Sequence, residues 1–162
     1  MDHGTDVHVR NKSEQTPLHL VAAHSHLGLA RKLLELDAEV NSQDKGGQEE
    51  GCTPLHYASQ QASQNGNLSI VQLFVERGAE VDSRNGHGSI SLLVASEYGH
   101  ANFLQLLLDH NAELYVCDSH GSTPLHCAAS GCRLEVARIL LKHNVEVNSR
   151  NAKGSTPLYG CT

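Results

Sequence analysis

The chain has 162 residues, with 12 Lys/Arg against 18 Asp/Glu and a net charge of −6 when its 12 histidines are neutral. That balance lacks the basic footprint a nucleic-acid backbone requires. With no Trp, two Phe and four Tyr, a large aromatic-centred core is excluded, and Leu, Ala and Val are left to build thin layers of small helices.

The length suits one domain or a solenoid of a few short units. Acidity gathers toward the N-terminal end, as a solvated face or an attraction for a basic partner. Cys52, Cys117, Cys127, Cys132 and Cys161 form an odd set without a C-x-x-C pair. They read as reduced thiols of an intracellular, cytoplasmic protein, with the nucleus left open. The polar start lacks a signal peptide's apolar stretch, and no segment approaches membrane-spanning length. The sequons at Asn11 and Asn67 are therefore read as chance matches.

One pattern organises the rest: Gly121-Ser122-Thr123-Pro124-Leu125-His126-Cys127-Ala128-Ala129, with variants opening at Thr16, Thr53, Ile90 and Thr156. Successive markers lie 37, 37, 33 and 33 residues apart, and such a near-constant period marks a stacked repeat array. Residues 1–15 form the tail of a partial repeat, since Val7 precedes Thr16 by the same step as Val147 precedes Thr156. Repeat 1 then spans 16–48, repeat 2 spans 49–85, repeat 3 spans 86–118 and repeat 4 spans 119–151. Residues 152–162 begin a further first helix, so both ends are expected to cut through a repeat.

Within a unit, Thr16, Thr53, Thr123 and Thr156 are helix N-caps, with Pro at the first helical position. The first helix is short, as from Pro124 to about Ser130. A polar turn leads to a second, as from Leu134 to His143, with Leu134, Ala137, Leu140 and Leu141 at helical spacing. Asp37, Gly78, Asn111 and Asn144 share the slot after it and tolerate a left-handed cap. Arg77, His110 and His143 just before it suit the negative end of the helix dipole. An extended pair and a Gly turn follow, as in Arg84-Asn85-Gly86-His87-Gly88, predicting a projecting hairpin.

Two stretches depart in length. Four extra residues within 42–51 lengthen a hairpin tip and add acidic groups. Four more within 58–67 amount to about one helical turn, so they are expected to extend the first helix of repeat 2. Repeat 3 reads Gly88-Ser89-Ile90-Ser91-Leu92-Leu93-Val94-Ala95, losing Thr, Pro and His together. A softer helix start is expected there, compensated by the very apolar second helix around Phe103–Leu108. Glu14 stands where other units have Gly, which leaves its turn geometry open.

Helix, turn, longer helix and hairpin behind a Gly-x-Thr-Pro-Leu-His-x-Ala opening resemble the ankyrin repeat over essentially the whole chain. Gly51–Ala58 and Gly121–Ala128 are close matches, and five such motifs in register make the resemblance specific. It implies an all-α, ankyrin-repeat solenoid of stacked helix-turn-helix units with projecting β-hairpin loops. It also implies that His19, His56 and His126 hydrogen-bond within and between repeats. Metal and catalytic readings are correspondingly weak. His24-Ser25-His26 has no third ligand, and Cys127 and Cys132 are spaced unlike a zinc site. No phosphate loop, His-Glu-x-x-His or nucleophile elbow occurs. Asp118, His120 and Ser122 imitate a triad on one hairpin, but no oxyanion hole or pocket is apparent.

The implied function is non-enzymatic protein–protein recognition through the concave face and hairpin tips, in a scaffold or signalling protein. No cofactor, metal, nucleic acid, membrane or small-molecule substrate is expected. Carried onto this sequence, the family's contact positions on the hairpins are Lys12, Ser13, Gln15, Glu50, Cys52, His87, Ser89, Ser119, His120, Ser122, Ala152, Lys153 and Ser155. On the first helices they are Ala23, His24, Glu97, Tyr98, Ser130 and Gly131, with blurred equivalents near Gln60 and Gln61. Tyr98 is either an interface anchor or a cover for the neighbouring helix, whereas Tyr57 is assigned to the stack. A structural spacer without a ligand of its own is the alternative. Two hairpins, Leu33 to Asn41 and Leu140 to Asn148, resemble family substrates of asparaginyl hydroxylation. Terminal repeats normally carry a polar outer face, so the uncapped ends are expected to self-associate.

Overall fold

A computed structural model describes residues 6–45, 50–61 and 65–161. The tip of the first insertion (46–49), the middle of the second (62–64) and the first five residues of the N-terminal tail lie outside the described residues. Each unit starts where Pro follows an extended residue. Thr16, Thr53 and Thr123 have ψ of 164°, 165° and 167° and open α1 (Pro17–Ala23), α3 (Pro54–Gln60) and α7 (Pro124–Ser130). Ile90, with ψ 166°, opens α5 (Ser91–Tyr98) in the same way without Thr or Pro. The second helices are α2 (Leu27–Glu35), α4 (Asn65–Glu76), α6 (Ala101–Asp109) and α8 (Leu134–Lys142), and a 3₁₀ turn covers Pro157–Cys161.

These elements stack in two rows. α1, α3, α5, α7 and the 3₁₀ turn contact one another in that order, while α2, α4, α6 and α8 form the second row, and each first helix packs on its own second helix. The molecule is an all-α solenoid. Its core lies between the rows. Leu18, Leu55, Leu92 and Leu125 are buried in the first helices, and Leu33, Phe74, Leu107 and Leu140, at one shared position of the second, are buried in the same cluster. Each such burial stabilises by roughly 1.5–3 kcal/mol before entropy is counted. Repeat 3 answers its lost cap with apolar packing, since Ile90 is 0% and Leu93 2% exposed.

The predicted helix ends form as expected. Asp37, Gly78, Asn111 and Asn144 have φ of 60°, 84°, 61° and 56°, so their carbonyl-end turns use the left-handed region that Asn, Asp and Gly tolerate best. The second insertion behaves differently from expectation. α3 is as short as α1 and α7, and α4 instead begins three residues before Leu68, the counterpart of Leu27 in α2. The first helices touch along a common row, which holds them to seven or eight residues. The outer row can accept extra residues at a helix start.

The projecting loops close like hairpins without forming a strand among the described residues. Each closes on itself with two backbone bonds, such as Asn85 N–H to Ser89 O at 3.0 Å and Gly88 N–H to Asn85 O at 2.8 Å, and reaches the next loop by a single bond, such as Ser119 N–H to His87 O at 2.8 Å. One bond from loop to loop is too few for a ladder. Glu14 takes φ 58° where Gly51, Gly88, Gly121 and Gly154 take 70–78°. The turn geometry is therefore kept, with a side chain held in a backbone region that costs about 1 kcal/mol.

Histidine joins successive units. His19 Nδ1 accepts the Thr16 N–H at 3.1 Å, and its Nε2 reaches Cys52 O at 3.0 Å. His56 bridges Thr53 to Ser89 O and His126 bridges Thr123 to Ser155 O in the same manner. A second, unpredicted tie sits beside the first. Tyr57 donates its hydroxyl to Asp44 Oδ2 at 2.6 Å and accepts from Gln15 Nε2 at 2.6 Å, while Asp44 Oδ1 accepts the Cys52 N–H. Asp44 is 1% exposed, so these bonds replace its lost water. Burial and the Asp44 carboxylate push the Tyr57 hydroxyl well above its ordinary value.

Two stability changes follow. Glu14→Gly should raise stability by about 0.5–1 kcal/mol, read as a higher midpoint in urea unfolding. Tyr57→Phe should lower it by about 1–3 kcal/mol, because a buried carboxylate loses its hydroxyl donor. An unchanged midpoint for Tyr57→Phe would show that water substitutes for that hydroxyl.

Candidate protein-interaction face

The loop tips are shaped by one side chain each. Asp118 Oδ1 accepts the backbone N–H of His120 at 2.9 Å and of Ser122 at 2.7 Å. Asn11, Asn85 and Asn151 bind their own loops through the same atom. The Asp118–His120–Ser122 cluster is thus a turn former rather than a proton relay. Arginine then clamps alternate loops. Arg10 donates to Glu14 O and Gln43 O, both at 2.9 Å, and Arg84 to Gly88 O at 2.7 Å and Cys117 O at 3.0 Å. Arg150 holds Gly154 O at 2.7 Å. These arginines stand six residues before a marker, a periodicity visible in the sequence but not read from it.

On this frame the predicted contact residues divide. Lys12, Glu50, His87, Ser119, His120, Ala152 and Lys153 are exposed at the tips, and Ser13, Gln15, Ser89, Ser122 and Ser155 are half-buried at their bases. Cys52 is 6% exposed, with its N–H on Asp44, its carbonyl on His19 and its sulfur 3.7 Å from Asn85 Nδ2. It belongs to the joint between repeats and does not face a partner. Its N–H is held by Asp44 as the N–H of Ser89 is held by Asn85, so what sets Cys52 apart is its sulfur, which lies against Asn85 of the next loop.

The first helices supply the other half of the face. His24 is exposed beside His26, with ring centroids 6.1 Å apart, Ala23 is half-buried, and Glu97 and Ser130 are exposed. Tyr98 is 39% exposed, stacked on His100 at 6.2 Å, and accepts Gln60 Nε2 at 2.9 Å. His100 Nε2 in turn meets Gln60 O at 3.2 Å. Tyr98 therefore covers the end of α3 while presenting part of its ring outward. Gly131 allows close approach, because a Cβ there would lie 2.5 Å from Glu97 O, the atom that accepts Arg133 Nε at 2.9 Å.

Five predicted residues meet in one groove, Ser155 among them. Glu97, Ser122, Ser130 and Lys153 line a hollow of about 340 Å³, with Cys127 and Tyr159 also on its wall. Its walls are mostly polar and carry both charge signs. Burial, aided by Asp118 and Glu97, pushes the Cys127 thiol up to about 12, so the thiol is protonated and is not a nucleophile near neutral pH. Among the described residues no group of three or more His, Cys, Asp or Glu is arranged to hold a metal ion. No described helix is long and apolar enough to cross a membrane.

Comparison with known proteins agrees with this architecture. A family model for ankyrin repeats (3 copies) matches residues 1–85 and 60–151. The chain is 40% identical over 79 residues to Ankyrin repeat and SOCS box protein 18 of Homo sapiens, covering 49% of this chain and 16% of that protein. It is 36% identical over 76 residues to Tyrosine-protein kinase Shark of Drosophila melanogaster, covering 47% and 7%. It is 34% identical over 95 residues to Protein fem-1 homolog A-like of Mus musculus, covering 59% and 13%. The chain spans less than a fifth of each of these relatives. Stacked helix pairs, histidine-bridged joints and the family match over most of the sequence agree: the chain belongs to the ankyrin repeat family.

Proposed function

We propose that this chain is a non-enzymatic protein-recognition module that grips its partner along the concave face formed by the loop tips and first helices. The observation that carries the reading is the groove shared by Glu97, Ser122, Ser130 and Lys153, which come from three successive units. The Asn, Asp and Arg bonds hold those units' backbone in place before any partner arrives, which reduces the entropy lost on binding. Tyr98, restrained by Gln60 and His100, is the aromatic anchor of this reading, with Lys12, His24, Glu50, His87, Ser119 and His120 setting specificity around it. The four repeats assigned to 16–151 are its units, and a cytoplasmic location is part of this reading.

Glu97→Lys combined with Tyr98→Ala should abolish specific capture of partner proteins by the immobilised chain while helical circular dichroism is retained. Unchanged capture would favour the spacer reading.

A second reading rests on its own observation. At one end of the stack Leu125, Leu134, Ala137, Leu141 and Leu158 line an apolar hollow of about 570 Å³, with Leu134 73% and Leu158 77% exposed. The 162-residue chain self-associates through it. Light scattering should show a mass that rises with concentration and is restored to the monomer by Leu134→Gln with Leu141→Gln. A monomer at every concentration would exclude this contact.

Asparaginyl hydroxylation is proposed for Asn148 ahead of Asn41. Asn41 is tied to Gly78 O at 3.0 Å and to the Glu80 N–H at 2.9 Å, whereas Asn148 is exposed. Peptide mass spectrometry of protein from its native cell should find one added oxygen at Asn148, and its absence there would sink the proposal.

A further inference from the structure

Among the four helix starts at Thr16, Thr53, Ile90 and Thr123, only Ile90 lacks an imidazole bridge. A backbone N–H can only donate. Since Thr16 N–H points at His19 Nδ1 (3.1 Å) and Thr53 N–H at His56 Nδ1 (3.2 Å), each Nδ1 must keep its lone pair. The ring proton then sits on Nε2 and is donated to the carbonyls of Cys52 and Ser89, each at 3.0 Å. A second proton, on Nδ1, would set N–H against N–H, with the Thr16 and Thr53 hydroxyl oxygens at 2.9 Å as its neutral acceptors, in a site where His19 is 0% and His56 3% exposed. In repeat 3 the same two positions hold Ile90 and Leu93, both buried, and nothing there can be protonated.

The Asp44 carboxylate favours the charged form of both rings but does not outweigh their burial. Burial is the main cause holding His19 and His56 below their ordinary value of 6.5. The carbonyls of Cys52 and Ser42 and the Asp44 carboxylate oppose it at His19, and Arg10 adds to it. At His56 the Ser89 carbonyl and Asp44 oppose it, and His19 adds to it. Asp44 is already engaged by Tyr57 and the Cys52 N–H. The Tyr57 ring meets His19 edge-on at 5.6 Å, and its hydroxyl stays neutral in acid. His126 makes the same bonds but lines the open groove beside Asp118 and Glu97.

We propose that the joints begun at α1 and α3 are a built-in acid-sensitive switch, which loosens under mildly acidic conditions while the apolar joint begun at α5 stays closed. The sign follows from proton counts. Below about pH 6.5 the unfolded segment binds protons that the closed one refuses, so the stabilisation is complete above that pH and is lost as pH falls. The inference rests on the fold and holds whether or not the concave face binds a partner.

Hydrogen-exchange mass spectrometry at pH 7 and pH 5, expressed as protection factors, tests it on the intact chain. Protection of α1 and α3 should fall by up to about 25-fold per histidine relative to α5. Giving the two joints the apolar pair already present in repeat 3, as Thr16→Ile with His19→Leu and Thr53→Ile with His56→Leu, should remove that fall. The reverse change, Ile90→Thr with Leu93→His, should make α5 acid-sensitive. Equal loss across α1, α3 and α5 in the unaltered chain would overturn the proposal, as would an α5 that stays protected once it carries Thr and His. Should the apolar variants fail to fold, the reverse variant decides alone.

Discussion

The arrangement depends on a neutral imidazole that serves two masters. One nitrogen of His19 receives the backbone of its own helix start, and the other donates to a carbonyl in the following loop. A local cap and a contact between units are thereby the same side chain, so neither forms fully without the other. In a solenoid each unit touches only its neighbours and stability accumulates joint by joint. Where the ring is replaced, as at Leu93, the joint must close by packing alone, and the burial of Ile90 and Leu93 shows that it does.

Constraint in the first row explains where variation is admitted. α1, α3, α5 and α7 follow one another in contact, which keeps them short and alike. Added length appears instead at the start of α4 and in the loop of the first insertion. The loops in turn keep one internal frame, in which an Asn or Asp side chain binds the loop's own backbone and, in alternate loops, Arg clamps it from behind. Residues free to differ, such as Glu97, Ser122 and Lys153, are thus presented from a uniform backbone. That division lets a recognition surface change without disturbing the stack.

How much of this could be read beforehand varied with the range of the interaction. The Thr-Pro starts and the left-handed residues Asp37, Gly78, Asn111 and Asn144 were legible, because cap and turn preferences are set within a few residues. The longer α4 was not, since either neighbouring helix could absorb one turn on local grounds. Cys52 occupies a loop position where Gln15, Ser89, Ser122 and Ser155 are half-buried, and its sulfur lies instead against Asn85 of the next loop, 33 positions away. The tie from Gln15 through Tyr57 to Asp44 joins residues 42 and 13 positions apart, beyond any local pattern. The arginine clamps were periodic and legible in principle.

By itself the sequence determined the period, the helix starts and ends, and the apolar faces, because each of these follows from backbone preference and spacing along a few turns. Only the tertiary structure decided which loop residues remain outside, which inner-row helix keeps its length, and which groups from separate units share a groove. Those outcomes depend on distances across joints between residues some thirty positions apart. The histidines stand at the boundary between the two. Their place in each unit is local, while the carbonyl that completes their bonding belongs to the next.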